Sequence, residues 1–334
     1  MPVVTGRQSV LDVYAEAAER QWVIPTINTE CQTSTEAILA ASAEFAAEHG
    51  IPDLPVGIGL TNLYFHRPQA PLYTHTGLWQ IGMRMFLNDL DILTGPDSPF
   101  HRLRVLVNLD HIQWDADREL LEWDLRRFSS IMYDASLLPF EENIRMTARF
   151  REERGEELVI EGACDEIREA SEEGSGDLTT PEMAERYVRE TGVDIIVANL
   201  GTEHRASAAD LTYHGDLARE ITRRVGRRLC LHGTSSVPHD QVRRLFHDGV
   251  VKVNIWTAIE RDSSPALLED MARNAARVAG TAHAARLQEE GLLGPAADTS
   301  SPADLRFFTT AYRQGIVFRE MKRIVKEFLE LWYC

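Results

Sequence analysis

The stretch LVNLDHI, residues 106–112, decides how the rest of the chain is read. Apolar residues lead into it from Val105, and then Asn108, Asp110 and His111 follow within four positions. A parallel strand covered on both faces stays apolar along its length, because unpartnered charge in a core is costly. A run that begins apolar and ends polar is therefore expected to be a buried strand whose C-terminal end leaves the core and borders a site. On an extended strand Asp110 and His111 point to opposite faces. Both can border one pocket only where the backbone turns out at the strand end.

Seven further runs have the same character: WVIPTIN (22–28), LPVGIGLT (54–61), SIMYD (130–134), LVIEG (158–162), DIIVANLG (194–201), RLCLHG (228–233) and VVKVNIW (250–256). With RVLVNLD (104–110) they make eight, most of them followed by an amphipathic stretch such as TSTEAILAASAEFAAEHG or TPEMAERYVRETG. Several of these stretches open on Ser, Thr or Asp and several close on Gly, as helices do. Eight strands alternating with helices is the count of a closed (β/α)8 barrel, an α/β TIM barrel. A doubly wound open sheet is the main competitor, but no G-x-G-x-x-G follows the first strand. Repeats, linkers and composition breaks are lacking, which predicts a single barrel domain over residues 1–334 with a C-terminal helical extension from about residue 270. Two segments exceed a minimal barrel: the loop 63–77, and a tail that ends in QGIVFREMKRIVKEFLELW. The apolar face of that last helix fits packing against the barrel better than an interface.

A chain of 334 residues, 44% hydrophobic, can bury a large core. Its formal net charge of −17 argues against nucleic acid or an acidic membrane as partner, since both need clustered Lys and Arg. Lysine occurs only at 252, 322 and 326. Four cysteines, at 31, 164, 230 and 334, are widely spaced and form no CxxC pair, as expected in a reducing compartment. The first residues contain no apolar leader core and no apolar run approaches 18 residues, so the expected location is the cytoplasm.

In a barrel the C-terminal strand ends face the active site. Three of these strands end near histidine: His111, His204 and His232. Imidazoles converging from three strands form a standard zinc ligand set that leaves a position for water or substrate. From spacing alone, structural and metal-binding roles both stand. Asp110 is read as a general acid/base beside a metal, or else as a cap or a partner that orients a histidine. The other histidines, His49, His66, His75 and His247 among them, are expected at the surface. HGTSS and VNIWT place small residues and backbone amides at strand-to-helix turns, where anions bind without lysine.

Together these segments resemble the class II, zinc-dependent fructose-bisphosphate aldolase family, which includes the tagatose-bisphosphate aldolases. LVNLDHI is similar to the family's ALHLDHG, and FSSIMYDASLLPFEENI (128–144) to its FTSVMIDGSHLPFEENI. TGVDIIVANLGTEHR, LCLHGTSSVPHDQVRR, VVKVNIWTAI and PTINTECQTSTEAILAASAE also resemble family motifs, in the same order, from about Trp22 to Ile259. The resemblance implies a carbon–carbon lyase of carbohydrate metabolism, usually a homodimer or homotetramer. It would carry one catalytic Zn2+, other divalent metals being alternatives. It implies His111, His204 and His232 as metal ligands and Asp110 as the acid/base, with reversible aldol cleavage through a zinc-stabilised enediolate. Asp134 and Glu161 are implied either at a second metal position or as partners of the ligands. Asn28, Thr61, Arg205, Gly233, Ser235, Asn254 and Thr257 are implied to bind substrate or phosphate.

The chain also departs from the family pattern. Ala163 stands where a metal-proximal Glu would be, and Asn108 where the family often has a third polar residue, His. The lid loop becomes EIREASEEGSG, in which Glu166, Glu169, Glu172 and Glu173 are equal candidates for a second acid/base. A family lysine is missing from RASAAD, Arg205 replaces a Gly, HGGSG becomes HGTSS, and Trp256 replaces Asn or Asp. The expected substrates are therefore a non-glycolytic ketone and aldehyde, whether phosphorylated, phosphonate, carboxylated or unphosphorylated. Two rivals remain: a Schiff-base aldolase using Lys252, whose alternation with Val251 and Val253 suggests an outward side chain, and a non-catalytic barrel that binds a sugar phosphate or a partner.

Overall fold

The computed structural model describes residues 2–165, 178–202 and 212–334. Nine strands run β1 (Val3–Val4), β2 (Ile24–Asn28), β3 (Pro55–Thr61), β4 (Arg104–Gln113), β5 (Ser130–Asp134), β6 (Val159–Ala163), β7 (Ile195–Val197), β8 (Leu229–Leu231) and β9 (Val250–Ile255). From β2 to β9 each strand pairs in parallel with the next, β9 pairs with β2, and the eight close into a barrel. Each of the eight lies within or overlaps a run anticipated above. β4 extends three residues further, to Gln113.

The barrel is closed below by a device that the sequence did not advertise. Strand β1 pairs with the start of β4, Val3 against Val105 and Val4 against Leu106. Helix α1 (Arg7–Glu19) then sets Val10, Val13 and Ala17 against the barrel interior, in one cluster with Ile24, Leu106, Met132, Val159, Ile195 and Cys230. This apolar floor leaves the polar residues at the opposite, C-terminal end of the strands, where a barrel carries its site.

Helices cover the outside. In α2 (Gln32–His49) the last turn closes on Gly50, whose φ of 65° is the left-handed cap that glycine adopts at least cost. The final helix, α3 (Thr310–Tyr333), buries Ile324, Phe328, Leu329 and Trp332 among others. Its end is tied down where the Trp332 indole donates to the Val242 carbonyl at 2.9 Å. Lys322 and Lys326 reach Glu44 of α2 at 2.6 and 2.8 Å. The expectation that this helix packs against the barrel agrees with these contacts, and each fully buried large apolar side chain contributes about 1.5–3 kcal/mol. Among the described residues, no helix is long and apolar enough to cross a membrane.

Candidate active site

A bulge in β4 resolves the geometric problem of the Asp-His pair. The pairing of β4 with β5 shifts register between Leu109 and Ile112, and His111 adopts φ 47°. A left-handed residue inside a strand costs about 1–3 kcal/mol, although histidine tolerates it better than most. Bulges of this kind re-aim a side chain. Here Asp110 keeps the inward direction of the strand while His111, its neighbour, also reaches the interior, and both are buried.

His111 is held on two sides. Its Nδ1 lies 2.9 Å from Asp134 Oδ2, and its ring stacks on Tyr64 with centroids 4.4 Å apart. Asp134 in turn accepts from the Gln113 amide at 3.0 Å and from the Ser136 hydroxyl at 2.6 Å. Burial works to raise the Asp134 carboxyl, but the bonds from His111 and Ser136 outweigh it and hold the group below its usual range. An ionised Asp134 keeps the proton on Nδ1 and directs the Nε2 lone pair away from it, the arrangement of a carboxylate–histidine–metal relay. The His232 ring sits edge-on to His111, with centroids 5.0 Å apart.

Asp110 is fixed from both oxygens. Asn254 Nδ2 donates to Oδ1 at 2.8 Å, and Asn28 Nδ2 donates to Oδ2 at 2.6 Å. Arg67 Nη2 stands 3.4 Å from the same Oδ2. Asn28 can occupy this place because β3 offers Gly59 opposite it: a Cβ there would lie 2.1 Å from Asn28 Oδ1. Burial alone would raise the Asp110 carboxyl, yet His111, His232, Arg67 and Lys252 together hold it well below its usual range.

Among the described residues, two sets of side chains have donor atoms within 4.8 Å of one another: Asp110 with His111 and His232, and Glu161 with Cys230 and His232. The two imidazoles of the first are the better donors, with the Asp110 carboxylate beside them. Glu161 is occupied by Lys252, whose ammonium reaches both its oxygens at 2.7 Å. The Cys230 thiol is pushed well above its ordinary range by burial, so it stays protonated and is a poor ligand. The bond to Glu161 also corrects the expected orientation of Lys252. It points into the barrel and spans from β9 to β6, both partners fully buried. Flanking valines gave no usable signal, because residues on either side of such a strand are covered.

A narrow cavity opens beside Asp110, lined by Asn28, Arg67, Gly233, Ser235, Asn254, Trp256 and Thr257 among others. Five of the seven residues anticipated to bind substrate therefore meet around one space. Thr61 is not in its lining; it is fully buried and its hydroxyl donates to the Arg67 carbonyl, so it holds a loop. His204, Arg205, Glu166, Glu169, Glu172 and Glu173 lie outside the described residues. Sequence reasoning passed over Arg67, Tyr64 and Gln69, all from the loop after β3. His66, expected at the surface, is only half-buried and lines a second cavity beside His111.

Comparison with known proteins places this geometry. The family model described as fructose-bisphosphate aldolase class II matches residues 8–292. A fructose-bisphosphate aldolase of Giardia intestinalis is 35% identical over 153 residues, 43% of this chain and 45% of that protein. One from Staphylococcus epidermidis is 25% identical over 274 residues, 80% of this chain and 86% of the relative. Among solved structures, the Campylobacter jejuni fructose-bisphosphate aldolase superposes with TM-score 0.75 at 16% identity, covering 99% of this chain and 97% of that one. The YdjI aldolase of Escherichia coli K12 gives TM-score 0.65 at 17% identity, covering 96% and 94%. By the extent of the family match, the chain belongs to the class II fructose-bisphosphate aldolases.

Proposed function

We propose that the protein is a metal-dependent aldolase that makes and breaks a carbon–carbon bond in a non-glycolytic ketone and aldehyde pair. The observation that carries this reading is the β4 bulge, with donor atoms of the adjacent Asp110 and His111 within 4.8 Å of each other and of His232. His111 and His232 supply nitrogen donors, and a third, His204, follows β7 in sequence. Nitrogen donors and an open position suit zinc, which when bound supplies Lewis-acid stabilisation of the negative charge that develops on the ketone oxygen.

The chain's own residues do the rest. Asp134 fixes the His111 ring and its tautomer. Asn28 and Asn254 hold the Asp110 carboxylate in place from either side. Asp110 takes the hydroxyl proton in cleavage and returns it to the aldehyde oxygen in condensation, work that contributes about 10²–10⁴-fold in rate. Gly233, Ser235 and Thr257, the last at a helix start, line the same cavity and would receive the anionic end of a substrate. Lys252 makes no Schiff base in this scheme, because its ammonium is held by Glu161. The protein's partners are thus small molecules, and self-association as a dimer or tetramer belongs to the same reading.

A chelator-controlled screen of donor ketones and acceptor aldehydes, with metal content measured, tests the proposal. Zinc-dependent cleavage or condensation with a ketone other than the glycolytic one supports it. Ordinary fructose 1,6-bisphosphate cleavage at typical aldolase efficiency would contradict the substrate assignment, and full activity in chelated protein would contradict the metal dependence.

A further inference from the structure

Two side chains roof the cavity beside Asp110, and the chemistry above uses neither. Arg67 is 8% exposed, with its guanidinium 4.5 Å from the centre of the Trp256 ring. Its backbone is clamped: the Thr61 hydroxyl donates to the Arg67 carbonyl, and Gln69 Oε1 accepts from Thr61 N at 2.9 Å. Adjustment on binding therefore falls to the Arg67 and Trp256 side chains.

Size and charge both restrict what can enter. The space under this pair is about 10 Å³, room for little more than one water molecule, so both side chains must shift to admit a donor and a short one asks least of them. Arg67 is already paired with the Asp110 carboxylate at 3.4 Å, and Glu30 is close enough to feel its charge. A dianionic phosphoryl group would set two further negative charges against the one guanidinium that already serves Asp110. A carboxylate adds one charge, and its two coplanar oxygens match the edge of the guanidinium fork.

We propose that Arg67 and Trp256 are the specificity-determining residues, selecting a short donor whose carbonyl is bonded to a carboxylate, a 2-oxo acid, over a phosphorylated one. Arg67 receives the carboxylate; Trp256 braces the guanidinium from its face and shortens the cavity. The inference rests on the aldolase reading of the same cavity and names its substrate class.

Calorimetric titration of the zinc-loaded protein with hydroxypyruvate, dihydroxyacetone, dihydroxyacetone phosphate and inorganic phosphate tests it. Hydroxypyruvate should bind most tightly. Its affinity should fall about ten- to hundredfold in Arg67→Ala, with Arg67→Lys between the two, while dihydroxyacetone changes little. Trp256→Asn should admit dihydroxyacetone phosphate. Tighter binding of either phosphate by the wild type, unchanged hydroxypyruvate affinity in a folded Arg67→Ala, or no binding of any probe would overturn the proposal. Exchange of the donor's α-proton into deuterated solvent separates the two readings. Selective hydroxypyruvate binding without exchange would defeat the aldolase reading and leave the carboxylate selection standing.

Discussion

Along β9, Lys252 and Asn254 point into the same barrel two residues apart, and each meets a carboxylate from across it. Lys252 gives its ammonium to both oxygens of Glu161 at 2.7 Å, fully buried and above the apolar floor formed with α1. Asn254 gives its amide to Asp110 at 2.8 Å, beside a cavity and two imidazoles. The lower pair is complete, a cation matched to an anion with both fully buried. The upper carboxylate is held by neutral amides and a more distant guanidinium, next to space. A buried charge whose partner is internal serves the fold, whereas one positioned by neutral donors at the edge of a cavity is placed for a ligand or a proton.

The sharpest way to break this comparison is to remove one member of the lower pair. Lys252→Met should destabilise the protein by about 3–5 kcal/mol in chemical denaturation, because Glu161 is left buried and unpaired. Adding Glu161→Gln should restore much of that loss, although the two changes together delete more polar contacts. Recovery would show that the cost lies in the unpaired charge. A loss equal to the sum of the single changes would mean that the two residues are not coupled and that the cost is not that of an unpaired charge.

On the upper layer, Asp134→Asn should weaken zinc binding about 10–100-fold while leaving secondary structure intact, because the His111 ring loses the acceptor that fixes its tautomer. Competition with a chromophoric chelator measures this directly. An unchanged affinity would mean that Asp134 only supports the turn through Ser136.

A smaller effect should appear at the rim. Burial and the nearby Glu30 push the Glu260 carboxyl up to about 7. A carboxyl raised in the folded state stays protonated there after its unfolded counterpart has ionised. Its destabilising effect is therefore absent below the ordinary value of 4.5 and grows as pH rises through about 7. Urea midpoints between about pH 5 and 8 should fall more steeply for wild type than for Glu260→Gln. Parallel curves would remove Glu260 from the account.

The smallest effect lies on the outer helices. The bonds from Lys322 and Lys326 hold Glu44 down to about 2. A depressed carboxyl contributes stability present above the ordinary 4.5 and lost as pH falls towards 2. Because Glu44 is 40% exposed, solvent screens this contribution strongly. Glu44→Gln should lower the thermal midpoint only slightly near pH 7 and less still near pH 3, and a loss of several degrees at neutral pH would contradict it.

What the sequence reveals follows the same division. SIMYD reads as a strand to the residue, because a buried run that ends in Asp has few alternatives. Asp110, His111 and His232 are legible because polar residues at the ends of apolar strands are anomalous. The bulge that lets Asp110 and His111 share a space is not, since no residue type in LDHIQ demands a left-handed histidine. Arg67 sits in a polar loop like any surface arginine, and only the fold brings it over Trp256. Lys252 and the sealing role of α1 escape for a third reason. Alternation loses its meaning where both faces of a strand are covered, and a short N-terminal helix looks the same whether it caps a barrel or lies on its side.

The central claim is that Asp110 moves protons beside a metal it does not hold. Asp110→Ala tests it when zinc content and turnover are measured on the same sample with the best donor and acceptor found. The account predicts near wild-type zinc with turnover lowered about 10²–10⁴-fold. Full turnover, or loss of zinc in step with activity, would contradict it.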